Sequence, residues 1–180
     1  MSLYQATHPA APTIGVELRA VLVYAVAGLL ALVLQTTVLH ALSDGRVIPD
    51  LLLILCVHLG LYEHNVGGAT GAFLLGYLLD SFSGSVVGLN AFAFTLVYVV
   101  VYLFSRRLWM DTVLASVAMV FLGSLLKGIA IVGALAVYLA IDRVSLATGQ
   151  TLAAEALLAA ALAPVVFAVV AWERRLLGIG

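Results

Sequence analysis

Along this chain most polar residues fall in short clusters, and long, predominantly apolar runs lie between them. Six such runs stand out, over residues of about 20–42, 49–62, 66–79, 89–104, 112–140 and 152–172. Ser43–Asp44–Gly45 closes the first run, and Glu63–His64–Asn65 separates the second from the third. Asp80 and the small-residue stretch SFSGSVVG lead to the fourth, which Ser105–Arg106–Arg107 closes; Glu173–Arg174–Arg175 closes the sixth. Strands of a membrane barrel alternate apolar and polar residues. These long, mostly continuous apolar runs do not alternate, and they predict helices. The first, at 23 residues, would be about 35 Å long as helix, enough to cross a hydrocarbon core of about 30 Å. The fifth is long enough to require tilt or bending. The second and third fall short of the about 20 residues a lone span needs. They are expected to form a tight hairpin inside the bundle, one that either crosses fully or re-enters on one side. Pro49 suits the first turn of its helix, where the missing N–H has no helical partner.

Composition fixes the solvent these helices face. Of 180 residues, 64% are hydrophobic and 9% charged, with a mean hydropathy of +1.21. A soluble domain carries about 25% charged residues to solvate its surface, so the outer surface here must face lipid, where the backbone has to satisfy its own hydrogen bonds. The reading is an all-α, polytopic membrane protein of six transmembrane helices in one domain, residues 1–180. The segment before the first run lacks a basic start, so that run reads as an uncleaved first helix. Lys and Arg in short loops set orientation. With six spans, Arg19, Arg106, Arg107, Arg174 and Arg175 share one side, and only Arg46 and Arg143 lie on the other. Both termini are therefore expected in the cytoplasm, in a multi-pass inner-membrane protein. Trp109 and Trp172 lie beside the basic clusters, as interfacial tryptophans do.

Few residues could carry chemistry. Net charge is −1 with no basic block, so nucleic-acid binding has no support. The single Cys56 sits in an apolar run and reads as a buried thiol. No nucleophile motif, metal-ligand spacing or phosphate loop is visible, so the expectation is no enzyme, no metal and no cofactor. Lys127 is the most unusual residue, near the middle of the fifth run. A central lysine is costly to insert and usually finds a partner inside the protein; Asp80, Asp50 and Glu63 are the candidates. Asp50 also suits the start of its helix, where a carboxylate meets unpaired N–H groups. Asp80 ends its run, where the dipole disfavours an anion, and so is the better candidate for a specific partner. Gly67 and Gly71 form a GxxxG pair, continued by Gly68, Ala72 and Gly76, and predict close helix packing. Gly123, Gly128 and Gly133, and Ala156, Ala160 and Pro164, suggest similar contacts or kinks. His58 reads as a satisfied core histidine and His40 as interfacial.

PDLLLILCVHLGLYE, followed by GGATGAFLLGYLLDSFSGSVVGLNAFAF and a basic end to the fourth run, resembles the rod-shape-determining membrane protein MreD family of bacteria over residues 30 to 107. The resemblance implies a non-enzymatic role in cell-wall elongation. It implies binding of MreC and work beside RodA, a class B penicillin-binding protein and MreB. It also implies a fold similar to the six-helix substrate-binding subunits of energy-coupling-factor transporters. An alternative follows from that fold analogy: a small-molecule-binding subunit of such a transporter. Ala27 and Ala31 would then dock the energising partner, and Asp80, Ser81, Ser83, Asn90, Asp142 and Glu155 would supply the pocket's polar groups. Asp50, Asp80, Lys127, Gly67, Gly71 and Gly76 are the candidate functional residues under either reading.

Overall fold

The computed structural model describes residues 14–39, 48–84, 86–107, 112–139 and 146–176. These form six helical segments and no strand among the described residues. Helix α1 spans Ile14–Val33 and continues as a wider π-helical turn, Leu34–Leu39. The others are α2 (Leu51–Tyr62), α3 (Val66–Ser83), α4 (Leu89–Ser105), α5 (Val113–Leu139) and α6 (Leu146–Leu176). Within them, Val113–Val137 and Gly149–Leu176 are each long and apolar enough to cross a membrane.

The shortest helix sits at the centre. Every residue of α2 from Leu51 to Leu61 is buried. Its sequence, LLLILCVHLGL, has no polar stripe, and a helix apolar all round is stable only when it is surrounded. It packs against each of the other five helices. Those five in turn close a ring: α1 packs on α3, α3 on α4, α4 on α5, α5 on α6, and α6 on α1. At 12 residues, α2 is about 18 Å long. Its start is enclosed by protein, with Asp50 and Leu51 buried, whereas Tyr62 at its end is more than half exposed.

Specific contacts fix the helix directions. Tyr24 meets His58 while Gln35 meets Leu51, so α1 and α2 are antiparallel. Asp80 near the end of α3 meets Asn90 near the start of α4, and Tyr98 further along α4 reaches back to Glu63 and Asn65. Lys127 meets Asp50, and Arg174 meets Glu63. The six helices therefore alternate in direction. Arg106, Arg107, Arg174 and the start of α1 lie at one end of the bundle, and Asp80 lies towards the other.

Several boundaries differ from the sequence expectation for physical reasons. Helix α2 begins at Leu51 instead of Pro49, because Asp50 is extended and caps it. Helix α3 runs past Asp80 to Ser83, where Gly84 at φ 63° ends it. Gly88 at φ 95° then opens α4, and only glycine adopts such values without strain. Helix α6 begins at Leu146, earlier than expected.

The glycines separate into two kinds. A Cβ on Gly76 would lie 2.5 Å from Asn90 O and 2.6 Å from Ala91 Cα, and one on Gly68 would lie 2.4 Å from Glu63 O. The close-packing ridge is therefore Gly68–Ala72–Gly76, with Ala72 fully buried. Gly67 is exposed, which corrects its assignment to a packing pair. Gly71 is half-buried against Leu59. Gly123 packs on Val57 and Val97 and Gly128 on Leu152, but Gly133 faces open space. Ala156 and Ala160 are buried, and Pro164 sits inside α6 without ending it.

Candidate functional site: a buried ion pair at the start of the central helix

A helix that begins inside a protein brings unpaired N–H groups and the positive end of its dipole with it. At α2 both are answered. Asp50 Oδ1 accepts from Leu53 N at 3.0 Å. Gln35, on the π-helical turn of α1, accepts from Leu51 N through Oε1 at 3.1 Å. Thr36 supports that turn by donating its hydroxyl to Leu32 O at 2.8 Å. The other carboxylate oxygen, Asp50 Oδ2, receives a hydrogen bond from Lys127 Nζ on α5. The ammonium also lies 5.3 Å from the centre of the Phe94 ring on α4, within cation–π range. The Asp50 and Lys127 side chains are only 11% and 17% exposed, so each charge depends on the other for solvation. One cluster thus ties α1, α2, α4 and α5 together.

This arrangement places the candidate residues differently from the sequence reading. Lys127 pairs with Asp50, which also caps its helix. Glu63, another candidate for Lys127, pairs instead with Arg174 Nη1 at 3.0 Å. Asp80, the favoured candidate for a specific partner, serves the next helix. Its carboxylate accepts from Gly88 N (2.9 Å), Asn90 N (3.0 Å), Asn90 Nδ2 (2.8 Å) and Ala91 N (3.2 Å). The anion disfavoured by its own helix is held at the positive end of α4.

A second network closes the opposite end. Arg174 Nη1 also reaches Tyr24 Oη at 3.4 Å, and Tyr24 Oη lies 3.0 Å from His58 Nδ1. The His58 ring packs on Tyr62 at 4.5 Å and edge-on to Phe167 at 5.0 Å, so His58 is the satisfied core histidine expected of it. Tyr98 Oη donates to Glu63 O and Asn65 O, at 2.8 and 3.1 Å, and clamps the α2–α3 turn. Tyr24, Gln35 and Arg174 were missed as partners. Each is a single polar group on an apolar helix or at its end, and only the fold reveals what it faces.

Ala27 and Ala31 are buried inside the bundle. That contradicts their assignment as a docking pair for an energising partner. Of the polar groups assigned to a pocket, Asp80 and Asn90 bond to each other and Ser81 donates back to Tyr77 O at 2.9 Å. Asp142, with His40, Asp44, Arg46, Trp109 and Arg143, lies outside the described residues, as does the Arg19 side chain. No group of three or more His, Cys, Asp and Glu side chains suited to a metal occurs among the described residues.

The two ion pairs and the Asp80 carboxylate hold helices to one another, and this defines a helical membrane-type bundle organised around a pinned central helix. A family model described as rod shape-determining protein MreD matches residues 17–171, and the chain belongs to that family. Membership connects it with rod-shape determination and with the membrane. Comparisons with curated proteins and with solved structures gave no match.

Proposed function

We propose that the chain is a non-enzymatic, inner-membrane scaffold of the rod-shape machinery. Its six helices all cross the bilayer, both termini are cytoplasmic, and its outer helix faces hold the membrane span of MreC. In this role it positions the peptidoglycan synthesis machinery, including RodA, a class B penicillin-binding protein and MreB. The observation that carries this reading is the contrast between centre and perimeter. The core is fixed by an ion pair, caps and close glycine contacts. The rim presents large apolar side chains, among them Leu30, Leu74, Phe92, Leu122, Ile129 and Val165, each more than half exposed. A perimeter of that kind needs lipid or helix partners. Four cations of the expected cytoplasmic side, Arg106, Arg107, Arg174 and Arg175, close α4 and α6. Co-purification from detergent or nanodiscs tests the reading. MreC is expected to remain bound at defined stoichiometry, and a chain that folds and inserts but retains no MreC would defeat it.

A further inference from the structure

At the basic end, the side chains between α4 and the α2–α3 turn are more ordered than a solvated charge cluster requires. Tyr102 stands as a post that both Arg106 and His64 contact. The Arg106 guanidinium lies 5.7 Å from the centre of the Tyr102 ring, and its Nη1 donates to Tyr102 Oη at 3.2 Å. The His64 ring packs edge-on to Tyr102 at 5.5 Å. His64 Nε2 meets Ser105 Oγ at 2.9 Å. The Ser105 hydroxyl also lies within hydrogen-bond reach of Tyr102 O (3.0 Å) and Gly60 O (3.3 Å), which ties His64 to the end of α4. Tyr98 stacks on Tyr102 at 6.2 Å and stiffens the post.

The described ion pairs are Lys127–Asp50 and Arg174–Glu63, so neither Arg106 nor Arg107 has a carboxylate partner among the described residues. The adjacent helix face is apolar and open. Val99, Leu103 and Arg107 follow one another at four-residue spacing, and Val99 and Leu103 are 42% and 56% exposed. An apolar track thus runs along α4 and ends at two successive arginines, Arg106 and Arg107. The ligand that fits both halves has an acyl chain and a phosphate.

We propose that this corner of the bundle, Arg106 and Arg107 beside Tyr102 and His64, binds the headgroup phosphate of an anionic phospholipid whose chain lies along Val99 and Leu103. The inference rests on the membrane-spanning reading above. Arg106 is pre-oriented by Tyr102, which lowers the ordering cost of binding, and the guanidinium fork matches phosphate oxygens.

The test uses the full chain reconstituted in nanodiscs containing phosphatidylcholine and phosphatidylglycerol, with retained lipid counted by mass spectrometry after extraction. Selective retention of phosphatidylglycerol is expected. Arg106→Gln and Arg107→Gln should each weaken it about fivefold, in line with the contribution of one basic residue near an anionic surface. Arg175→Gln makes the same charge change on α6 and should leave retention unaltered. Equal loss with Arg175→Gln would show a diffuse charge effect and overturn the site. So would equal retention of both lipids by an inserted chain, or full competition by inorganic phosphate, which would make the site one for free anions. A chain that does not enter nanodiscs at all would overturn the membrane reading and the lipid site with it, which separates that failure from loss of selectivity in an inserted protein.

Discussion

Lys127 of α5 and Asp50 at the head of α2 form an ion pair inside the bundle, and that pair sits where the central helix exposes its positive end to the interior. Asp50 is held by three positive influences together: its own helix dipole, the Leu53 N–H and the Lys127 ammonium. Removing Lys127 leaves a buried carboxylate with only the first two. Lys127→Met is therefore expected to destabilise the protein by about 3 kcal/mol, the usual consequence of stranding one member of a buried pair. Removing both charges, as in Asp50→Asn with Lys127→Met, should recover a good part of the loss, since the asparagine still caps α2. Thermal unfolding in detergent of the two singles and the double variant measures this. Additive losses in the double variant would mean that the residues do not act as a pair.

Gly76 and Gly67 should respond oppositely to the same change. A methyl group at Gly76 meets backbone atoms of Asn90 and Ala91 at 2.5 to 2.7 Å, and backbone cannot swing aside as a side chain can. Gly76→Ala must push α3 and α4 apart, with an expected loss of about 1–3 kcal/mol from overpacking. At Gly67 the nearest atom is Asn65 Oδ1 at 3.1 Å, part of the cap of the same helix. Gly67→Ala should leave the unfolding temperature nearly unchanged. Comparing yields and melting temperatures of the two variants checks both halves.

Much of the architecture was legible in the sequence because membrane-type helices announce themselves by apolar length. The runs at 49–62 and 66–79 correspond to α2 and α3, and Lys127 stood out because a mid-run ammonium needs a partner. The pairing was not legible. Asp50, Asp80 and Glu63 are all acids at the ends of short helices, and only the ring around α2 brings Asp50 to Lys127. Asp80 was misread because the dipole argument considered its own helix alone. The five-residue connection to Leu89 lets its carboxylate reach the positive end of α4. The glycine ladder was read with the right period and with both of its ridges, Gly67–Gly71 and Gly68–Ala72–Gly76, since nothing local in GG at 67–68 distinguishes them; the fold buries the second. Ala27 and Ala31 show the same limit: their spacing marks a close-packed face, and the fold turns that face inward.

Asp80 gathers four N–H donors, three of them backbone groups of Gly88, Asn90 and Ala91. Asp80→Ala should uncap α4 and cost about 2 kcal/mol, as expected for loss of a helix cap together with buried donors left unmet. The loss should be local before it is global. Hydrogen exchange over residues 88–93 is expected to accelerate in Asp80→Ala while exchange in α6 stays as in the unaltered protein. Asp80→Asn, which keeps one acceptor oxygen and loses the charge, should fall between the two. Unchanged exchange at the start of α4 in Asp80→Ala would show that the cap is dispensable.

The α2–α3 hairpin makes the sharpest test of how the bundle sits in the bilayer. Its turn, Glu63–His64–Asn65, is held at the same end as Arg174 and Ser105, and the α3–α4 connection around Val86 lies at the other. Helix α3 has 18 residues and is about 27 Å long, close to the hydrocarbon thickness, whereas α2 is shorter and ringed by protein. If the hairpin crosses fully, a cysteine at position 64 reacts only from the cytoplasmic side and one at position 86 only from the outer side. In a protein whose Cys56 is buried, His64→Cys and Val86→Cys can be labelled separately, with a membrane-impermeant maleimide applied to intact cells and to inverted vesicles. The expected result is opposite sidedness for the two positions. Labelling of both from the outer side would show that residues 49–79 re-enter without crossing, and would reduce the number of spans to four.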